Sequence, residues 1–379
     1  MIKKSRFIFY ILVTAGVLIS IVLLTGLVRG AISSGKLHEA LYWRKLPDRV
    51  VQCELCPRRC VLKPGQRGQC KVRENRDGKL YSLVYGKPCA VHIDPIEKKP
   101  LFHVAPSSSV FSIATVGCNL RCIFCQNWQI SQTSPEETRY YDMEPAQTVD
   151  ALTKSDSRII AYTYTEPTVF YEYMLDTARL IKQQGFFNTM HSCGYINPAP
   201  LKELLKYMDA INIDLKGFNE RFYRKMSSGR LEPVLETLKT IKQEGVWLEI
   251  TNLIIPSAND DPEDIRKMCE WIKENLGEDT PLHFGRFFPN YKLINLPPTP
   301  TETLERARQI ALDVGLRYVY IGNVPGNPAE NTYCPKCEEL LVKRVGYIVE
   351  ENNIIDSKCK FCGYKIARRW DMLDEGGEK

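Results

Sequence analysis

From residue 110 to 322 the chain alternates short runs rich in β-branched and aromatic residues with longer runs of helical periodicity, and this alternation restricts the fold more than any other feature. Such runs build parallel βα units, because parallel neighbours need a crossover and a helix supplies it. The pattern predicts strands over 110–117, 158–165, 187–193, 209–215, 246–255, 282–288 and 317–322. Helix ends are marked as well. Asn197-Pro198 and Asp261-Pro262-Glu263-Asp264 read as starts, the second helix ending near Gly277. Thr299-Pro300-Thr301-Glu302 reads as a capping box whose helix stops at Gly315. Six or seven units in about 215 residues are too few for a closed eight-stranded barrel of the usual kind.

Eleven of the 14 cysteines fall into three tight groups. In a chain of 379 residues that is metal-ligand spacing rather than a small disulfide scaffold, and metal-bound thiolates imply a reducing compartment. The central group, Cys118, Cys122 and Cys125, has the spacing C-x3-C-x2-C and follows the first predicted strand at Gly117. Three thiolates so spaced can hold three irons of a [4Fe–4S] cube and leave the fourth open, whereas ordinary electron-transfer cubes take four cysteines and zinc knuckles pair C-x2-C units. A zinc site completed from elsewhere is the competing reading. The loop's position at a strand end, where barrel and α/β enzymes place their chemistry, favours the cube.

The segment from Gly117 to Trp128 resembles the signature of the radical S-adenosylmethionine (radical SAM) superfamily, and later strand ends extend the likeness. The resemblance implies a partial (β/α)6 TIM-type barrel, with a [4Fe–4S] cluster on Cys118, Cys122 and Cys125 and S-adenosylmethionine chelated at the open iron. Phe124, just before the third cysteine, would lie beside the adenine. Tyr164-Thr165-Glu166-Pro167 looks like the element that receives the methionine amino group, with Tyr164 and Thr165 in place of its two glycines. Taken alone, Glu-Pro at a strand end is also an ordinary helix start.

Asn212-Ile213-Asp214-Leu215-Lys216 resembles the Asp-x-Lys motif of glycyl-radical activating enzymes, and Asp214 and Lys216 fall on one face of a strand. With Asn127 they complete the candidate cofactor-binding set. The strand 249–256 resembles the one flanking the adenine. Two positions depart from the activating enzymes. Cys193 stands where they carry asparagine, with Ser192 beside it, and Tyr291 stands for a histidine. Over Cys53 to Trp370 the similarity narrows to the radical SAM member of the AmmeMemoRadiSam group, also labelled pyruvate formate-lyase activating enzyme homologues. It rests on Asp94-Pro95-Ile96-Glu97-Lys98-Lys99-Pro100-Leu101, Cys125 to Ser131, Glu166-Pro167-Thr168 and Gly322-Asn323-Val324-Pro325-Gly326. It names no substrate.

Two cysteine modules flank the barrel. Cys334, Cys337, Cys359 and Cys362 form paired C-x2-C knuckles, the pattern of a four-thiolate site on a zinc ribbon, although rubredoxin-like iron uses the same ligands. Cys53, Cys56, Cys60 and Cys70 form another set, whose spacing is not that of the ferredoxin insert of many glycyl-radical activating enzymes. It would hold zinc or an auxiliary cluster, and reads as a structural or substrate-docking module.

Phe7 to Val28 is an uncharged run of 22 residues, long enough at helical rise to cross ~30 Å of hydrocarbon. It is expected to be an uncleaved single-pass anchor, since the run exceeds a signal-peptide core and Arg29 disfavours cleavage there. Basic residues on both sides lean toward a cytoplasmic catalytic part. The expected organisation is therefore an anchor at 7–28, a connector with a short helical stretch at 29–51, a Cys-rich module at 52–88, the partial barrel at 89–328 and a ribbon at 329–370. Net charge is +6 without a basic stripe interleaved with aromatics, so nucleic acid is not a favoured partner. A low-potential electron donor and an unidentified protein or small-molecule substrate are the implied partners. The rival from another class is a membrane-anchored adaptor in which every cysteine group is structural zinc.

Overall fold

Each of the seven strand-like runs forms a strand, and they lie in sequence order in one parallel sheet. The computed structural model describes residues 37–367. An antiparallel strand, β1 (Ala90–Pro95), pairs with β2 (Ser109–Ala114) and borders the sheet. The sheet continues through β3 (Ile159–Tyr162), β4 (Phe187–Ser192), β5 (Ala210–Asp214), β6 (Trp247–Ile254), β7 (Leu282–Arg286) and β8 (Val319–Gly322). Helices α1 (Pro145–Lys154), α2 (Tyr171–Gln183), α3 (Pro198–Leu205), α4 (Glu232–Gln243), α5 (Pro262–Leu276) and α6 (Thr301–Val314) follow β2 to β7 in turn. The result is six βα units and one further parallel strand. β1 and β8 are the two ends of the sheet order and do not pair, so the barrel is open.

Burial explains why the strands read as nearly continuous apolar runs. All four residues of β3 and the first four of β5 are buried, as expected where helices cover one face and the barrel interior the other. The helices are amphipathic in step: α4 buries Val234, Leu235, Leu238 and Ile241 against the strands. Each such side chain contributes about 2 kcal/mol relative to exposure.

Two helix starts differ in detail from the sequence pattern. Asp261 caps α5 by accepting from the backbone N–H groups of Glu263 and Asp264. Thr299 does not cap α6. Its hydroxyl accepts from Phe287 N at 3.1 Å and donates to Ile254 O at 2.6 Å, tying the ends of β6 and β7 together instead. Asn197 is likewise diverted from α3, its side-chain amide donating to Glu54 O at 2.6 Å and its backbone N–H to Leu55 O at 3.0 Å.

The N-terminal module is two small antiparallel sheets, Trp43–Lys45 with Val51–Cys53 and Val61–Leu62, and His38–Glu39 with Lys79–Ser82 and Arg73–Arg76. In the connector the described residues 37–51 hold strands and no helix, which corrects the expected helical stretch there. Too short to show periodicity, these strands pair only within the tertiary fold. The buried Arg73 guanidinium meets Glu172 of α2 at 3.0 Å and binds the module to the barrel.

Between β1 and β2 the chain crosses the N-terminal end of the barrel and closes it. The backbone N–H groups of Phe102 and His103 donate to Glu249 at 3.0 and 2.8 Å, and His283 Nε2 lies 2.7 Å from the same carboxylate. The C-terminal ribbon, built on Leu340–Val345 and Ile348–Asn352, covers this end. Its Arg344 stacks over Phe102 at 4.3 Å and donates to Phe102 O at 2.8 Å.

The expected transmembrane helix requires correction. No helix among the described residues is long and apolar enough to cross a membrane, and the 7–28 run that carried the expectation lies outside them. A hydropathy run alone is not a span, so the single-pass anchor and the localisation drawn from it do not enter the functional reading.

Candidate active site

The loop after β2 turns at Gly117, whose φ of +101° is left-handed backbone that disfavours a side chain. A Cβ there would also lie 2.7 Å from Val72 Cγ1 and 2.8 Å from Cys70 O, so the N-terminal module packs directly on the loop. Neighbours pin its backbone. Arg121 N donates to Ser227 O and Ile123 N to Met226 O, both at 2.9 Å, while Ile123 O accepts from Lys292 N at 2.9 Å. Asn119 is buried, donating to Tyr195 O at 2.7 Å and accepting at its backbone carbonyl from Arg58 Nε at 2.8 Å.

This scaffold gathers Cys118, Cys122 and Cys125 closely enough that the Cys118 thiol feels the other two. Burial pushes Cys118 well up, and the Glu166 carboxylate adds to it. Burial also pushes Cys122 up, while Lys216 pulls it back. Thiols in such a place ionise only against bound cations, and three of them with no fourth on the loop fit a cube with one free corner. Phe124, between the second and third cysteines, is buried with its ring 6.2 Å from that of Phe222. Asn127 donates to Tyr164 O at 2.7 Å and so ties the loop to the end of β3.

At the ends of β3 to β5 the other candidates converge. Glu166 is buried, with Oε1 accepting from Thr168 N, Thr168 Oγ1 and Ser192 Oγ at 3.1, 2.7 and 2.7 Å, and Oε2 from Cys193 N at 2.8 Å. It is a helix start as well as a buried negative charge at the site. Lys216 Nζ and His191 Nε2 hold the two oxygens of Asp214 at 2.7 and 3.0 Å. Burial pushes the Asp214 carboxyl up, but Lys216 and His191 outweigh it and hold the group well below the usual carboxylate range. Burial opposes the Lys216 charge too. Asp214 more than compensates and keeps it protonated. Cys193 is a buried thiol pushed well up by burial and Glu166, its Sγ 3.8 Å from Asn119 Oδ1, and not a reactive thiolate.

Several contacts were not legible in the sequence. Tyr164 sits at φ +63°, left-handed backbone of the kind the glycines it replaces adopt freely. Its hydroxyl donates to Asp94, which also pairs with Lys98 and with the buried Lys99 at 2.8 and 2.6 Å. Burial pulls the Lys99 ammonium down to about 8 despite that partner. Tyr291 stacks on Trp128 at 5.3 Å. His191 lies 23 residues from Asp214, and Asp94 lies 70 from Tyr164, beyond any local motif.

The profile described as the Radical SAM superfamily matches residues 112–272. An uncharacterized protein of Methanocaldococcus jannaschii is 51% identical over 332 residues, spanning 87% of this chain and 99% of that protein. The chain belongs to the radical SAM superfamily. The pyruvate formate-lyase-activating enzyme of Listeria monocytogenes is 24% identical across 64% of this chain and 90% of its own. Among solved structures, a radical SAM methyltransferase from Sphaerobacter thermophilus aligns with a TM-score of 0.46 and 15% identity, over 57% of this chain and 67% of that one. As a radical SAM enzyme it falls in a family defined by a [4Fe–4S] cluster and S-adenosylmethionine, and the zinc-only adaptor is not favoured.

The ribbon's four sulfurs converge separately. Cys334, Cys337, Cys359 and Cys362 have donor atoms within 4.8 Å of one another, with Cys334–Cys362 at 3.6 Å and Cys337–Cys359 at 3.7 Å. Burial raises Cys359, but the backbone N–H groups of Cys362 and Phe361 outweigh it and pull the thiol down to about 7, ready to bind as thiolate.

Proposed function

We propose that this chain binds S-adenosylmethionine beside Cys118, Cys122 and Cys125 and cleaves it reductively to start hydrogen abstraction from a substrate C–H bond. A [4Fe–4S] cluster with S-adenosylmethionine supplies a 5′-deoxyadenosyl radical when both are bound. What remains for the protein is to hold, orient and exclude water. The observation that carries the reading is the Lys216 ammonium, mostly buried and paired with Asp214 at 2.7 Å at the end of β5. A buried cation there suits the carboxylate of S-adenosylmethionine, and the buried Glu166 suits its amino group. Phe124 is assigned to the adenine side and Asn127 to fixing the loop against β3. A low-potential donor must deliver the electron.

The likeness to a pyruvate formate-lyase-activating enzyme supports a protein glycine as one substrate class. For the ribbon we assign structural zinc: Zn–S bonds of ≈ 2.3 Å in a tetrahedron set sulfurs about 3.8 Å apart, close to the observed 3.6 and 3.7 Å.

Anaerobic reconstitution with iron and sulfide, followed by S-adenosylmethionine and a reductant, is expected to yield 5′-deoxyadenosine and methionine. Cys122→Ala is expected to abolish both. Equal cleavage by the Cys122→Ala protein would overturn the assignment. With candidate substrates deuterated, transfer of the label into 5′-deoxyadenosine identifies the one attacked.

A further inference from the structure

The molecule contains two spacings of clustered thiols, and they differ. Among the described residues, the ribbon's is the one group of three or more metal-type ligands whose donor atoms all lie within 4.8 Å. Cys118, Cys122 and Cys125, on the loop assigned to a cluster, are not such a group. One is the scale of a single ion and the other that of a cluster whose metals stand between the sulfurs.

Cys53, Cys56, Cys60 and Cys70 follow the wider scale. Cys53 N donates to Cys60 O at 2.9 Å and Gly68 lies against the sulfurs of both Cys60 and Cys70, yet no three of the four sulfurs meet within 4.8 Å. A zinc ion with Zn–S bonds of ≈ 2.3 Å would require sulfurs about 3.8 Å apart. Four thiolates around a wider space are the donor set of a complete cube, one per iron. We propose that Cys53, Cys56, Cys60 and Cys70 hold a second [4Fe–4S] cluster.

The surroundings suit an anionic cluster. Cys53, Cys56 and Cys70 are buried, and Cys60 is partly exposed. The backbone of Gly68 forms one wall, where an added Cβ would lie 3.5 Å from Cys70 Sγ and 3.8 Å from Cys60 Sγ. Arg73 brings a fully buried guanidinium beside Cys53, Cys70 and Cys56, and its Nε has no hydrogen-bond partner among the described residues. A buried donor left so costs free energy unless an acceptor completes it, and cluster sulfur is such an acceptor.

The site also borders the first one. Cys70 O lies against Gly117, the residue before Cys118, and Lys71 Nζ donates to Gln132 O at 2.8 Å just beyond the cluster loop. With consecutive Cα atoms about 3.8 Å apart, this contact puts Cys70 Sγ within roughly 15 Å of Cys118 Sγ.

The test is made on the full chain, reconstituted anaerobically with iron and sulfide. Acid-labile sulfide is the readout, because a mononuclear ribbon site adds none whichever metal it takes. About eight sulfides per chain are expected in the unsubstituted protein and about four in the Cys118→Ala/Cys122→Ala/Cys125→Ala variant. The variant should also show a cluster EPR signal on reduction, and adding Cys60→Ser and Cys70→Ser should remove it. About four sulfides in the unsubstituted protein, with about two zinc ions per chain, would overturn the proposal even if 5′-deoxyadenosine is formed. A triple variant that folds and binds no sulfide would do the same.

Discussion

Lys216 Nζ lies 2.7 Å from Asp214 Oδ2, across the tight turn in which Leu215 N donates to Ile213 O at the end of β5. The pair is mostly buried, so its partners cannot be exchanged for water at little cost. Asp214→Asn is expected to lower unfolding free energy by roughly 3 kcal/mol, the scale for removing one member of a buried pair. S-adenosylmethionine affinity should fall roughly tenfold or more. Urea unfolding and equilibrium binding measure the two effects, and unchanged affinity would remove Lys216 from the cofactor site.

Gly117→Ala is expected to fail for two independent reasons, the positive φ and the approach of Val72 and Cys70 to the missing Cβ. Left-handed backbone and overpacking each cost about 1–3 kcal/mol. Iron content after reconstitution should drop along with stability. A variant with full iron and an unchanged melting temperature would mean the N-terminal module does not bear on the loop.

His103 is buried as a neutral ring. Its Nδ1 lies 2.6 Å from Ala367 O, which can only accept, so Nδ1 carries the proton and Nε2 accepts from the Tyr320 hydroxyl at 2.6 Å. Burial pulls the imidazolium down from 6.5 to about 4. Between those values the unfolded chain binds the extra proton and the folded chain does not. Stability should therefore fall as pH is lowered from about 6.5 toward 4, by up to roughly 3 kcal/mol from this group. Urea titrations of the parent and of His103→Gln across that window check the sign: the variant should have the shallower slope.

Cys334→Ser is expected to act on stability rather than on chemistry. Loss of a metal present at about 1,000 times its Kd costs about 4 kcal/mol. Below its lowered melting temperature the variant should still form 5′-deoxyadenosine. Loss of activity with an intact fold would place the ribbon in the reaction.

The sheet was legible because its strands are buried on both faces, so local composition and burial agree from β2 to β8. β1 was missed because it is half exposed and joins by an antiparallel hairpin outside the βα rhythm. In the site, Asp214 and Lys216 were visible as a period-two pair, and Cys118, Cys122 and Cys125 as a spacing. His191 was not, since it reaches Asp214 only through strand pairing. Thr299 shows the opposite error: a correct local motif was outcompeted by two backbone partners from β6 and β7. Tyr164 looked like a lost glycine. Its ring and hydroxyl instead fill the barrel interior against Lys99 and Asp94.

Arg344, seated on Phe102 beneath the Glu249–His283 pair, makes the barrel a cup rather than a tube. The plug stands at the end of the strands away from Glu166, Asp214 and Lys216, so a ligand reaches those residues without passing it.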